Sequence, residues 1–152
     1  SIIGLGRAME IACADIPAKI SKVTPLRNKM IDELLTLPMS RLNGDRERRL
    51  AGNANLSFVG AEGEALLLGL DMVCASSGSA CTTGSLDPSH VLLALGLSHE
   101  VAHGSLRITI SDWTTPEEVD HIIDSVKAVV TRTRDISPLW EDIQKGRKTI
   151  AL

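Results

Sequence analysis

Apolar residues recur at helical spacing in three stretches of this chain and alternate with polar residues in two others, which predicts helices separated by short strands. Residues 2–12 (Ile-Ile-Gly-Leu-Gly-Arg-Ala-Met-Glu-Ile-Ala) read as a helix in spite of two early glycines. Asp15 with Pro17, and Thr24 with Pro25, predict helix restarts, because proline suits a first turn and breaks an interior. Leu26, Met30, Ile31, Leu34 and Leu35 then keep helical spacing, which predicts a helix to about residue 37. Residues 38–53 read as a polar loop holding Asn43-Gly-Asp45 and the basic cluster Arg46-Glu-Arg-Arg49.

Ala54-Asn-Leu-Ser-Phe-Val59 alternates like a strand that Gly60 ends, and residues 62–70 predict a short, largely apolar helix. Residues 71–75 read as a short buried strand, and 76–87, almost all small residues, as a mobile loop. Pro88 opens a predicted helix over 89–95, which Gly96 closes. Ser105-Leu-Arg-Ile-Thr-Ile110 alternates again and sets Arg107 on one face with Ser105 and Thr109. Thr115-Pro-Glu-Glu118 is a capping box with proline at the first helical position. The helix it opens carries Val119, Ile122, Ile123, Val126 and Val130 on one face, and residues 136–140 are expected to turn and pack back before a short helical tail. Strands separated by helices, without repeats or a linker, predict one α/β unit: a small, mostly antiparallel or mixed sheet covered by helices.

Composition narrows the function classes. With 152 residues, 43% hydrophobic and 23% charged, the chain has the make-up of one globular domain. A net charge of −3 gives no electrostatic case for nucleic acid, and three aromatic residues are too few for a base-stacking platform. The longest apolar run, residues 91–97, falls far short of the roughly 20 residues that span a bilayer. No basic start followed by an apolar stretch marks a signal peptide, so a cytoplasmic location is expected.

Three cysteines cannot all pair, and their spacing matches no zinc-binding CxxC pair. Cys13 and Cys74 sit in apolar runs and read as small buried hydrophobes. Cys81 lies among Ser, Gly, Ala and Thr, with no Lys, Arg or His within six residues. It reads equally as a reactive thiol on an accessible loop or as a small loop residue. Arg107 is a charge inside an apolar strand: either a fork for a carboxylate or an edge-strand arginine in solvent. His99-Glu-Val-Ala-His103 matches the zinc-protease pattern HExxH, with Asp120, His121 or Asp124 to complete a site. Its apolar segment is too short for the sustained helix such a site needs, so a connecting helix with surface histidines is expected, and no metal. None of the six lysines reads as a buried Schiff-base residue.

The segment Ser76-Ser-Gly-Ser-Ala-Cys-Thr-Thr-Gly-Ser-Leu-Asp-Pro-Ser-His-Val-Leu-Leu93 resembles the active-site cysteine loop of NifS/IscS-type cysteine desulfurases. The resemblance extends to Leu42-Asn-Gly-Asp45, Asn55-Leu-Ser-Phe58, Glu62-Gly-Glu-Ala65, Ala102-His-Gly-Ser-Leu-Arg107, Thr114-Thr-Pro-Glu-Glu-Val-Asp120 and Ser137-Pro-Leu-Trp140, in family order. Ile2-Ile-Gly-Leu-Gly6 is similar to the segment leading out of the family's cofactor domain.

The resemblance implies the C-terminal small domain of a fold-type I enzyme dependent on pyridoxal 5'-phosphate. Residues 1–15 would be a helical lead-in, and 16–152 the small domain with its cysteine loop at 76–87. It implies that Cys81 takes the sulfur of L-cysteine as a persulfide, leaving alanine, and passes it to an iron–sulfur scaffold or another acceptor protein. Arg107 is implied to hold the substrate carboxylate. The family's cofactor lysine lies far upstream of its cysteine, and only 80 residues precede Cys81 here. The cofactor is therefore expected in the full-length enzyme and not on this chain, which needs its own large domain and a homodimer mate for turnover. Ser111-Asp-Trp113 stands where Gly-Arg-Phe is commoner in the family. A selenocysteine lyase is a close alternative. A freestanding persulfide carrier, docking through residues 46–49 and Trp140, is a non-enzymatic one.

Overall fold

The computed structural model describes residues 1–77 and 88–152. Helix α1 (Ile2–Cys13) and helix α2 (Ile16–Leu34) lead into strands β1 (Ser40–Leu42) and β2 (Asn53–Phe58). Short helices α3 (Gly63–Gly69), α4 (His90–Ala94) and α5 (His99–His103) precede strand β3 (Ser105–Thr109). The long helix α6 (Pro116–Asp135) and the short α7 (Pro138–Gln144) complete the fold. The sheet has the order β1-β2-β3 and is antiparallel throughout, so no parallel pair makes it mixed.

Strand alternation divides the sheet into two chemically distinct faces. Leu56, Phe58, Leu106 and Ile108 are buried beneath α2, α3 and α6, together with Met30, Ile31, Leu34, Leu66, Val119, Ile123, Val126 and Val130. The opposite face carries Arg41, Asn53, Asn55, Ser57, Ser105, Arg107 and Thr109. A smaller apolar cluster of Val59, Leu92, Leu97, Val101 and Ala102 holds α4 and α5. Helix α6 begins with the predicted capping box: Thr115 accepts from the Glu118 amide, and Glu118 accepts from the Thr115 amide. This reciprocal pair satisfies two of the donors that a helix start leaves open.

Four sequence expectations are corrected. Pro25 does not restart a helix but lies inside α2, which ends at Leu34. Its missing donor costs one intrahelical bond, while Val23, Met30, Ile31 and Leu34 keep one buried stripe in phase across it. The 38–53 stretch is not all loop: β1 pairs with residues 56–58, and Asn43 N–H continues the ladder to Asn55 O at 2.8 Å. Residues 71–75 form no strand, and Met72 is exposed. Among the described residues only Ser76 bridges to β3, while Val73 and Ala75 pack half-buried against the core without pairing. Cys13 and Cys74 are exposed rather than buried. The first lies on α1, a helix without a single buried residue, and the second just before the Ser76 bridge.

The junction of α6 and α7 is fixed by Arg134. Its Nε donates to Val59 O at 2.9 Å, its Nη2 donates to Met39 O at 3.3 Å, and its guanidinium stacks 4.0 Å from the Trp140 ring. Burial pulls its pKa down to about 10. Trp140 in turn packs on Gly60, whose φ of +82° and lack of a Cβ both suit the contact: a Cβ there would sit 2.8 Å from the indole.

Candidate functional site

The polar face of the sheet becomes a site through strand register. Asn55 lies opposite Arg107 across β2 and β3, and Ser76 pairs with Arg107 on the other edge. Arg107 N donates to Ser76 O at 2.6 Å, and Ser76 N donates to Arg107 O at 3.1 Å. The main-chain groups of Arg107 therefore point away from β2, which makes Asn55 and Arg107 a non-hydrogen-bonded pair, the closer kind of cross-strand side-chain pair. On the far side of β2, Asn43 N–H bonds to Asn55 O, so Asn43 and Asn55 also share a rung. Asn43, Asn55, Arg107 and Ser76 thus form one transverse row of polar side chains on the face away from the core.

Two of these side chains are locked together. Asn43 Nδ2 donates to Asn55 Oδ1 at 2.6 Å and to Ser57 Oγ at 2.8 Å. Asn43 is only 5% exposed. Its backbone oxygen is held by Arg49 Nη2 at 2.9 Å. Burial and the nearby Arg27 guanidinium both lower the Arg49 pKa. Ser105, on the neighbouring rung, donates its hydroxyl to Ser77 O at 3.3 Å.

Arg107 is exposed on this polar face, as the alternation of its strand predicts. Cys81 lies outside the described residues. The segment leading to it, Ser76-Ser77, is tied to the Arg107 rung by the bridge and by the Ser105 hydroxyl. Sequence reasoning passed over Asn43 as a site residue and treated Asn55 only as part of a family segment. Only the pairing of β1 with β2 brings the two together, although the alternating Asn55-Leu-Ser-Phe58 carried part of the signal.

The HExxH segment is the five-residue α5, followed by Gly104 and then β3. Its histidine rings lie 6.5 Å apart at 50°. Glu100 pairs with Lys148 at 3.3 Å instead of facing a site. Its own amide and that lysine hold its carboxyl below the usual carboxylate range. Asp120 pairs with Lys29, and His121 lies 3.5 Å from Ser125 Oγ. Among the described residues no three metal-ligating side chains gather.

The basic cluster is engaged within the chain: Arg46 pairs with Asp32 at 2.6 Å, Arg48 with Asp45 at 3.7 Å, and Arg49 donates to Asp45 O at 2.7 Å. Every lysine is bound elsewhere. Lys29, Lys127, Lys145 and Lys148 are in ion pairs, and Lys19 and Lys22 donate to main-chain carbonyls. None stands beside Arg107. No described helix is long and apolar enough to cross a membrane.

Comparison with known proteins places the chain in a family. The chain is 45% identical over 152 residues to cysteine desulfurase IscS of Clostridium botulinum, covering 97% of this chain and 38% of that protein. It is 43% identical over 145 residues to cysteine desulfurase IscS of Histophilus somni, covering 95% of this chain and 36% of that protein. The chain thus spans well under half the length of these relatives. The X-ray structure of a NifS-like protein from Rickettsia africae superposes with a TM-score of 0.73 at 24% identity, over 84% of this chain and 33% of that one. A second NifS-like protein superposes with a TM-score of 0.68 at 26% identity, over 86% of this chain and 33% of that one. The aminotransferase class-V family model matches residues 1–122, and the chain belongs to that family.

Proposed function

We propose that this chain is the C-terminal small domain of a cysteine desulfurase, with residues 1–15 leading in from the cofactor domain and 16–152 forming the small domain. In this reading Arg107 binds the α-carboxylate of L-cysteine and Cys81 receives its sulfur. The overall change balances without a further reagent: L-cysteine and the Cys81 thiol give L-alanine and a Cys81 persulfide. The persulfide then passes to an acceptor protein such as an iron–sulfur scaffold. Pyridoxal phosphate supplies the electron sink for this chemistry, and the residues that hold it lie outside this chain.

The observation that carries the proposal is the main-chain bridge between Ser76 and Arg107. Cys81 follows Ser76 by five residues in the sequence, and the described residues leading toward it, Ser76 and Ser77, are tied to Arg107 and Ser105 of β3. The IscS relatives, which are named as cysteine desulfurases, support the same reading.

The test is made in the full-length enzyme with its cofactor. Cys81→Ser is expected to abolish sulfur transfer, read as loss of the extra sulfur atom in the intact mass after exposure to L-cysteine. Arg107→Ala is expected to raise KM for L-cysteine about 100-fold, the scale of a lost charge-assisted bidentate contact. Full activity in either variant would overturn the role assigned to that residue.

A further inference from the structure

We infer that Asn55 is a second donor to the substrate carboxylate beside Arg107, and that Asn43 is the positioning residue that turns its amide the right way. The inference rests on the desulfurase reading and adds a residue to it. The register places Asn55 directly across from Arg107 in the close type of antiparallel pair. An asparagine in that position can present either its carbonyl or its NH2 to a ligand held by the guanidinium. Only the NH2 helps a carboxylate, since the carbonyl would repel it.

Asn43 decides between the two. Its Nδ2 donates to Asn55 Oδ1 at 2.6 Å, which commits the Asn55 carbonyl to β1 and leaves Nδ2 of Asn55 for a ligand. Its own orientation is fixed by a second bond, Nδ2 to Ser57 Oγ at 2.8 Å. Asn43 Oδ1 is buried with no partner. Turning the Asn43 amide over would put two N–H donors in that partnerless spot, leaving more polar hydrogens unsatisfied. The network therefore reads in one direction only: Ser57 and Asn43 orient Asn55, and Asn55 adds a neutral donor next to a cationic one. Such a donor-only pair selects a planar carboxylate and gives little to an amine lacking one.

The test uses the full-length, cofactor-loaded enzyme and two ligands that have no sulfur to transfer: L-alanine, and ethylamine, which is alanine without its carboxylate. Affinities are measured by calorimetry. Asn55→Ala is expected to weaken L-alanine binding about 10-fold and leave ethylamine within twofold. Asn55→Asp is expected to weaken it further, because its carboxylate occupies the guanidinium. Asn43→Ala, which frees the Asn55 amide to turn over, is expected to cost about threefold. Asn55→Ser keeps a small polar strand residue and gives the same readout if the alanine variant does not fold.

Arg107→Ala separates the two levels of the argument. If it weakens L-alanine while the Asn55 variants do not, the inference is overturned and the desulfurase reading stands. If Arg107→Ala itself leaves L-alanine binding unchanged, the carboxylate clamp falls, and the role of Asn55 with it. Equal weakening of L-alanine and ethylamine by the Asn55 variants would mark a structural role and also overturn the inference.

Discussion

Helices α1 and α6 have opposite relations to the rest of the molecule. Helix α6 gathers its apolar residues on one stripe, and Val119, Ile123, Val126, Val129 and Val130 are all buried. Helix α1 is the more apolar of the two in composition, with Ile2, Ile3, Leu5, Met9 and Ile11, yet it buries none of its residues, and Ile3 is 90% exposed. Hydrophobicity alone does not place a helix in a core. A stripe in phase with a facing surface does. An uncovered apolar helix of this kind marks a surface made to be covered, in keeping with the proposed lead-in from a cofactor domain.

The sharpest way to break this comparison is to put the same charge into both helices. Val126→Asp buries an unpaired carboxylate and is expected to cost at least about 4 kcal/mol, enough to unfold the chain. Ile3→Asp is expected to change unfolding free energy by less than about 0.5 kcal/mol and to reduce self-association. Denaturant melts alongside light scattering read both effects. A large loss of stability from Ile3→Asp would mean that α1 is packed in solution.

Glycine substitutions sharpen the contrast further. A Cβ on Gly104, between α5 and β3, would lie 2.5 Å from Phe58 O and 2.8 Å from Ala61 O. Gly104→Ala is therefore expected to cost about 1–3 kcal/mol, as overpacking does. Gly4 and Gly6 of α1 have nothing within 4 Å of such an atom. Gly4→Ala and Gly6→Ala are expected to raise helicity of α1 by about 1 kcal/mol each in local propensity. The global melt of the core should stay where it is. Circular dichroism separates the local from the global change.

The smallest effect is expected at the start of α6. Thr115→Ala removes the hydroxyl that caps the Glu118 amide at 3.2 Å and should cost about 1 kcal/mol. No helix in the uncovered region has an equivalent device: the residue before α1, Ser1, makes no side-chain cap. A cost near zero in a denaturant melt would show that burial of the valine stripe, rather than the cap, fixes where α6 begins.

Helix α6 and strands β2 and β3 were legible in the sequence because their period and caps are local properties. Strand β1 was not, since Ser40-Arg41-Leu42 has no pattern of its own and is a strand only because β2 lies beside it. The reverse happened at residues 71–75, where an apolar run looks like a strand but finds a partner only at Ser76. Pro25 misled because helix-breaking is a local cost and the stripe it interrupts is buried on both sides of it. At the site, Arg107 stood out as a charge in an apolar strand. Asn43 and Asn55, twelve residues apart in sequence, become neighbours only through pairing.

The Ser76–Arg107 bridge makes β3 an interior strand at that rung. With β2 on one side and Ser76 on the other, the main-chain groups of Arg107 and of Ser76 are committed to each other. A substitution at position 107 therefore changes what the polar face presents without opening a sheet edge on which another chain could pair.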